Sequence, residues 1–399
     1  MRFTAADSLA PFRMSSTIDF PIHGRVAAGL EPVREVFAAN FTDNVEVGAS
    51  FAVFSATGEA LVDLWGGFTD QALSQPWRAD TLVNVYSTTK GLAALTFATL
   101  VEEGLTSYET PVREIWPELR AAKDGLTVGQ LLAHQGGLVG VSTQLEVADL
   151  YDWQKMIGLL ERQEPFWSPG SQAGYHAVTW GYLPGELARR LSGRTLGQLL
   201  AERLSRPFAA DFYLGLPEPE MNRVAPLIGP NRARIQPVPA DPNAAAPAVP
   251  ELYPIALQNP VIRPFADASS RDWQAAEIAA SNGQGNAAGI ARIYAGVLGS
   301  DSPLAEETLA ALTAERVGMT PDLVLGGPVR RGAGVILNTE EGYGPVPDSF
   351  GHSGAGGSTG FADPRHRIGV GYAMNQMQPN LEGDTRGGRL IRALYKCLG

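Results

Sequence analysis

Cysteine is almost missing from this chain: among 399 residues only Cys397 carries a thiol. No disulfide can form within one chain, and no zinc site can be built from cysteines. The sequence therefore makes no demand for an oxidising compartment. Long apolar runs are missing too. No stretch approaches the roughly 18 apolar residues of a membrane span, and Met1 to Phe20 holds no apolar run of signal-peptide length. A cytoplasmic location without a membrane span is the expectation. A basic surplus is also lacking, since 31 Lys and Arg stand against 42 Asp and Glu, a net charge of -11. That charge is spread along the chain, which argues for solubility and against a nucleic-acid partner. Lysine occurs four times, at Lys90, Lys123, Lys155 and Lys396, so each one invites a reason. His23, His134 and His176 are too scattered to suggest a metal site. His134 reads as a hydrogen-bonded structural residue, and neither metal nor cofactor is expected.

What is present is an ordinary globular balance, 44% hydrophobic and 18% charged, with length enough for a large core and for one big domain or two sharing a cleft. Apolar spacing predicts an amphipathic helix over Gly24 to Asn40. Val45 to Ser55 and Ala60 to Phe68 read as a β-hairpin around Ala56-Thr57-Gly58-Glu59. A helix is predicted from Ser87 to Glu103, closed by Gly104. Short helices follow at Leu126 to His134, Tyr151 to Gln163, Val178 to Leu191 and Thr195 to Leu204. Pro217 to Pro264, rich in Pro and Ala, reads as irregular loop. Asn286 to Leu298 is helical again. Gly332 to Asn338, Ser349 to Ser353 and Ile368 to Asn375 look like strands, and Arg386 to Leu398 like a closing helix. Strands at both ends of the chain can share one sheet. The expected fold is therefore α/β of the α+β kind: a largely antiparallel sheet flanked by N- and C-terminal helices, plus a mostly helical domain. Residues 1–86 and 270–399 would form the sheet domain and 87–269 the helical one, with a cleft between.

Ser87-Thr88-Thr89-Lys90 is the sharpest local feature. Ser and Lys three apart share one helix face. Free N–H groups at a helix start favour a developing alkoxide. A serine hydroxyl needs a base, and a partly desolvated lysine amine can be neutral enough to serve. The same residues fit an N-cap serine and a solvated lysine, so the motif needs company. Tyr175, after Pro169-Gly170-Ser171 and before a helix, projects from a loop, where a phenol near a cationic lysine loses its proton more easily and can shuttle it. Taken alone, it fits a half-buried core tyrosine better. Phe350-Gly351-His352-Ser353-Gly354-Ala355-Gly356-Gly357 offers a small-residue strand edge whose N–H groups can face an oxyanion.

Together these segments, in this order and spacing, resemble the three motifs of serine β-lactamases, DD-peptidases and family VIII carboxylesterases. Leu131-Leu132-Ala133-His134-Gln135-Gly136-Gly137-Leu138 is similar to a further segment of that superfamily, and the likeness covers nearly the whole chain. It implies a β-lactamase/transpeptidase-like fold with Ser87 as acylated nucleophile, Lys90 as general base and Tyr175 as proton relay. The oxyanion hole would be the N–H groups of Ser87 and Ala355, with His352, Ser353 and Gly354 lining the pocket. Two departures carry information. Ala177 stands where the tyrosine motif has Asn, and His352 where the third motif usually has Lys. Losing those donors weakens recognition of a peptide or lactam carboxylate. The expected enzyme is therefore a carboxylesterase acting on a small-molecule, short-chain ester, with β-lactam hydrolysis as a weak side activity. A β-lactamase or DD-peptidase, an acyltransferase and a non-catalytic binding protein are the rivals.

Two other motifs read as decoys. Gly356-Gly357-Ser358-Thr359-Gly360 is a literal G-x-S-x-G, but Phe361 to Pro364 reads as a turn before a strand, and His366 follows too closely for a nucleophile elbow. Gly283-Gln284-Gly285-Asn286 lacks the βαβ frame of a dinucleotide loop and reads as a helix N-terminal turn.

Overall fold

Val45 to Ser55 is apolar at almost every position, a pattern that suits a strand covered on both faces. The computed structural model, which describes residues 20–43, 45–123, 125–229, 249–378 and 385–399, places it there. The strands are β1 (Ile22–Val26), β2 (Gly48–Ser55), β3 (Ala60–Gly67), β4 (Val83–Asn84), β5 (Phe212–Tyr213), β6 (Gln284–Gly285), β7 (Ile336–Leu337), β8 (Phe350–Ser353), β9 (Thr359–Asp363) and β10 (Ile368–Met374). Seven form one sheet in the order β1-β3-β2-β10-β9-β8-β7, and every pairing in it is antiparallel. The other three form a small sheet, β4-β6-β5.

Alternation along β10 sorts its side chains by face. Ile368, Val370, Tyr372 and Met374 join a core with Val33, Phe37 and Phe41 of helix Glu31–Thr42 and Leu390 and Leu394 of helix Thr385–Leu398. Truncating a fully buried ring there, such as Phe37, would cost about 3–5 kcal/mol. Gly369 and Gly371 face the other way, onto helix Ala287–Gly296. A Cβ on Gly369 would stand 2.2 Å from the Ala291 carbonyl oxygen, and one on Gly371 2.3 Å from that of Ala287. Glycine is what lets that helix lie directly on the sheet.

Helix Thr88–Glu102 has no polar face. Its residues from Thr88 to Leu100 are all buried, against β8 and β9 on one side and helix Tyr182–Ser192 on another. Its one lysine is thereby carried into the interior.

Several expectations need correction. Residues 24–26 of the predicted Gly24–Asn40 helix belong to strand β1, and the helix starts only at Glu31. Pro32 explains this, because proline fits the first turn of a helix and breaks an interior. Phe361-Ala362-Asp363 is strand β9 rather than a turn; the turn begins at Pro364 and closes on Arg367 at φ 53°. Of Gly332 to Asn338 only Ile336–Leu337 is strand. Pro217 to Pro264 contains a 3₁₀ turn, Glu218–Arg223, and a short helix, Tyr253–Leu257, while its residues 230–248 lie outside the described set. Among the described residues no helix is long and apolar enough to cross a membrane.

Candidate active site

Strand β4 ends at Asn84, and the chain turns into helix Thr88–Glu102 through Tyr86, whose φ of 44° is unusual for a ring-bearing residue. Several contacts hold that strain in place. The Tyr86 carbonyl accepts from Thr89 Oγ1 at 2.5 Å, its hydroxyl donates to Pro264 O at 3.1 Å, and its ring meets Trp273 edge-on. The turn delivers Ser87 to the N-cap position, where its hydroxyl makes no capping bond.

Lys90 lies one turn on and is fully buried. Its Nζ is 2.9 Å from Ala177 O, 2.9 Å from Ala280 O and 3.2 Å from Ser87 Oγ. Burial, and after it the Arg331 guanidinium, hold the amine well below the ordinary lysine range. An uncharged amine has two N–H bonds, and two carbonyls take them. The direction left for its lone pair is Ser87 Oγ.

Tyr175 completes the triangle, with its hydroxyl 2.6 Å from Ser87 Oγ and its ring centroid 4.6 Å from Lys90 Nζ. Burial pushes the phenol up to about 12, a rise moderated by the Ser87 hydrogen bond and by Arg331. This corrects the expectation of an easily lost phenol proton. Burial disfavours the ammonium form of the lysine beside it and raises the phenol more than its neighbours lower it, so the hydroxyl is a proton donor.

Short hydrogen bonds pin the Tyr175 loop. Tyr175 N–H donates to Asp322 Oδ1 at 2.9 Å, and His176 N–H to His134 Nδ1 at 3.0 Å. His176 donates from Nδ1 to Gly174 O at 2.7 Å and accepts the Leu138 N–H on Nε2 at 3.0 Å. Both histidines are therefore neutral fasteners, His176 held down to about 4 by burial and His134 lower than its ordinary value for the same reason.

β8 forms the opposite wall. A Cβ on Gly354 would stand 2.2 Å from the Val85 carbonyl oxygen and 3.0 Å from Thr88 Oγ1, so this strand end lies directly on the Val85–Thr88 turn. Among the described residues, neither the Ser87 N–H nor the Ala355 N–H donates to another protein group. His352 is buried, 3% exposed, with Nδ1 2.7 Å from Ser353 O and Nε2 without a partner. Burial, then Lys90, keeps it well below the ordinary histidine range. Ser353 is exposed at the strand end. Ser358 of the G-x-S-x-G segment is buried, and its Oγ donates to Val85 O at 2.8 Å and pairs with Thr88 Oγ1 at 3.0 Å. It is a tie between the two walls. Gln284–Gly285 is strand β6, and Asn286 caps the following helix through Gly289 N.

The structure thus brings Ser87, Lys90 and Tyr175 into one cluster and packs His352, Gly354 and Ala355 beside it. A model of the Beta-lactamase family matches residues 36–394. The chain belongs to the β-lactamase family. Within that family it resembles the esterase/beta-lactamase LipL of Mycobacterium tuberculosis, 32% identical over 394 residues, which cover 92% of this chain and 87% of that one. The crystal structure of a family VIII carboxylesterase superposes with a TM-score of 0.86 at 45% identity, covering 94% of this chain and all of the other. A penicillin-binding protein homolog from Caulobacter crescentus gives 0.83 at 38% identity, with 94% and 100% covered. The protein is a serine hydrolase of the β-lactamase fold.

Sequence reasoning missed two side chains of this family member's site. Asp322 Oδ1 receives the N–H groups of Tyr175, Val324 and Leu325, and its Oδ2 accepts from Arg331 Nη2 at 2.7 Å. The Arg331 guanidinium lies 5.4 Å from the Tyr175 ring centroid. They sit in a motif-free segment, nine residues apart, and nothing in their spacing could have flagged them. Among the described residues no group of three or more His, Cys, Asp or Glu is arranged to hold a metal ion.

Proposed function

We propose that the protein is a carboxylesterase that works through a covalent acyl-enzyme on Ser87. The observation that carries this reading is the Lys90 amine, buried, committed to two carbonyls and left facing Ser87 Oγ at 3.2 Å. In acylation Lys90 takes the Oγ proton as Oγ attacks the ester carbonyl. The oxyanion is received by the N–H groups of Ser87 and Ala355. As the tetrahedral adduct collapses, Tyr175 gives its hydroxyl proton to the departing alkoxide and regains one from Lys90. In deacylation Lys90 takes a proton from the attacking water, Tyr175 gives its hydroxyl proton to the departing Ser87 Oγ, and Lys90 passes its extra proton to Tyr175. Each half-reaction leaves both residues as they began.

Two features favour esters over peptides and lactams. Ala177 offers a methyl where an amide would hold the substrate, and its carbonyl is already engaged by Lys90. His352 is neutral, with Nδ1 tied to Ser353 O, so this wall presents no ammonium to a substrate carboxylate. The names of the relatives, a family VIII carboxylesterase and an esterase/beta-lactamase, point the same way.

The test is a rate panel of short-chain p-nitrophenyl esters, nitrocefin and D-Ala-D-Ala peptides. The reading requires an initial burst with the esters, labelling of Ser87 by a fluorophosphonate, and loss of turnover in Ser87→Ala. Nitrocefin hydrolysis matching the ester rate would replace the substrate class, and labelling elsewhere would replace the nucleophile.

A further inference from the structure

We propose that Arg331, tethered by Asp322, is a positioning residue for the reaction. It fixes the Tyr175 loop through the shared carboxylate and keeps the space around Lys90 electropositive, so that the amine stays a base. The proposal rests on the assignment of Lys90 as base to Ser87.

The geometry is that of two basic groups on one ring. Arg331 Cζ is 5.4 Å and Lys90 Nζ 4.6 Å from the Tyr175 centroid. Arg331 cannot drift, because its side chain is 2% exposed and held by Asp322, and its main chain is bonded in both directions to Val317. The Asp322 carboxylate is in turn occupied by three main-chain N–H groups. One buried pair therefore sets where the Tyr175 main chain sits and where a guanidinium sits behind its ring.

Among the described residues, the groups facing Lys90 include one carboxylate, already committed to Arg331 and to three main-chain N–H groups. The facing groups are Ser87 on its own helix, Tyr175 with His134 and His176 behind it, His352 on β8, and Arg331 with the Asp322 that tethers it. The loop at Ala280 contributes only its carbonyl. In this low-dielectric setting a second cation disfavours the ammonium form, and the histidines are held neutral. Removing the Arg331 charge should let Lys90 hold its proton to higher pH.

The experiment compares the pH dependence of kcat/KM for p-nitrophenyl butyrate in wild type, Arg331→Lys and Arg331→Gln. In parallel, the Lys90 amine is titrated directly by NMR of ¹³C-labelled lysine. With four lysines in the chain, a Lys90→Met spectrum identifies its signal. Arg331→Gln should move both the acid limb and the Lys90 titration up by at least one pH unit. That is a tenfold or larger loss on the acid side, recovered as pH rises. Arg331→Lys keeps a cation there and should leave the limb near wild type. Should Arg331→Gln fail to fold, Asp322→Asn/Arg331→Gln removes both buried charges together while keeping an acceptor for the Tyr175 N–H, and an upward shift smaller than that of Arg331→Gln alone is expected, because the lost anion opposes it. A uniform loss at all pH values with limb and titration unmoved would overturn the proposal and make the pair purely structural. Absence of Ser87 labelling in wild type would instead sink the esterase reading, and the NMR titration would still report whether Arg331 governs Lys90.

Discussion

The two walls of the site are each backed by a buried arginine and carboxylate, and they are backed differently. Behind the Tyr175 loop, Arg331 meets Asp322 at 2.7 Å and lies against the ring of a reacting group. Behind the β8–β9 turn, Arg386 meets Glu46 at 2.8 Å. It also donates to the carbonyls of Val45, Gln376 and Gly356, the last one residue from Ala355. The first pair sits among histidines, a tyrosine and a lysine, so its charge is felt by groups that exchange protons. Among the described contacts, the second reaches the site through the Gly356 main-chain carbonyl. A buried ion pair is weak evidence for stability in either place; what each one does depends on what lies beside it. pH response should therefore belong to the Tyr175 wall and backbone precision to the Ala355 wall.

The largest separation should come from Tyr175→Phe, which removes the proton donor while keeping the ring. A loss of about 10²–10⁴ in kcat is expected with the fold intact. Near wild-type turnover in this variant would remove the reactive role from that wall. Arg386→Met removes the guanidinium from the buried Glu46 carboxylate, which keeps the Tyr372 hydroxyl at 2.5 Å, and should lower unfolding free energy by about 3–5 kcal/mol in denaturant titration. The folded fraction should lose kcat more than KM, with the acid limb of the pH profile unmoved. If that limb moves as in the Arg331 variants, the two walls are not distinct.

A third measurement uses the histidines of the first wall. His176 is held neutral down to about 4 by burial, against an ordinary value near 6.5. As pH falls from about 6.5 to 4 the unfolded chain takes up a proton that the folded one refuses, so stability falls across that window and is fully present above it. The contribution of this group is about 3 kcal/mol. Thermal melts from pH 7.5 to 4 should slope accordingly, and His176→Asn should flatten the slope. An unchanged slope would mean that acid sensitivity arises elsewhere.

How far the sequence foretold this molecule differs in the same way between walls. Ser87 and Lys90 were legible because helix spacing alone puts them on one face, and the hairpin Gly48–Gly67 because its periodicity is local. Tyr175 and His352 to Ala355 gain specific roles only when the segments are taken together as a resemblance. What escaped notice depends on long-range packing. Asp322 and Arg331 are single charges whose meaning lies in burial, and the Ala177 and Ala280 carbonyls that hold Lys90 are main-chain atoms any residue would supply. The phenol of Tyr175 was read with the wrong sign, because its shift is set by burial that no short window reveals.

The smallest effect is the most discriminating about the decoy. Ser358 supplies two hydrogen bonds across the walls, to Val85 O and Thr88 Oγ1, and stands at the start of a strand instead of on a strand-to-helix turn. Ser358→Ala leaves Val85 O without that donor and opens no large cavity. The expected cost is about 1 kcal/mol of stability, with ester turnover within tenfold of wild type and Ser87 still labelled by the fluorophosphonate. The loss should fall on kcat, because the tie holds the Ser87 turn against the strand end that carries Ala355, and the oxyanion contacts assigned to those two N–H groups strengthen only as the carbonyl becomes tetrahedral. A variant that folds, keeps Ser87 available and yet turns over no ester would show that Ser358 takes part in the chemistry, and the division between a reactive wall and a positioning wall would fail at that residue.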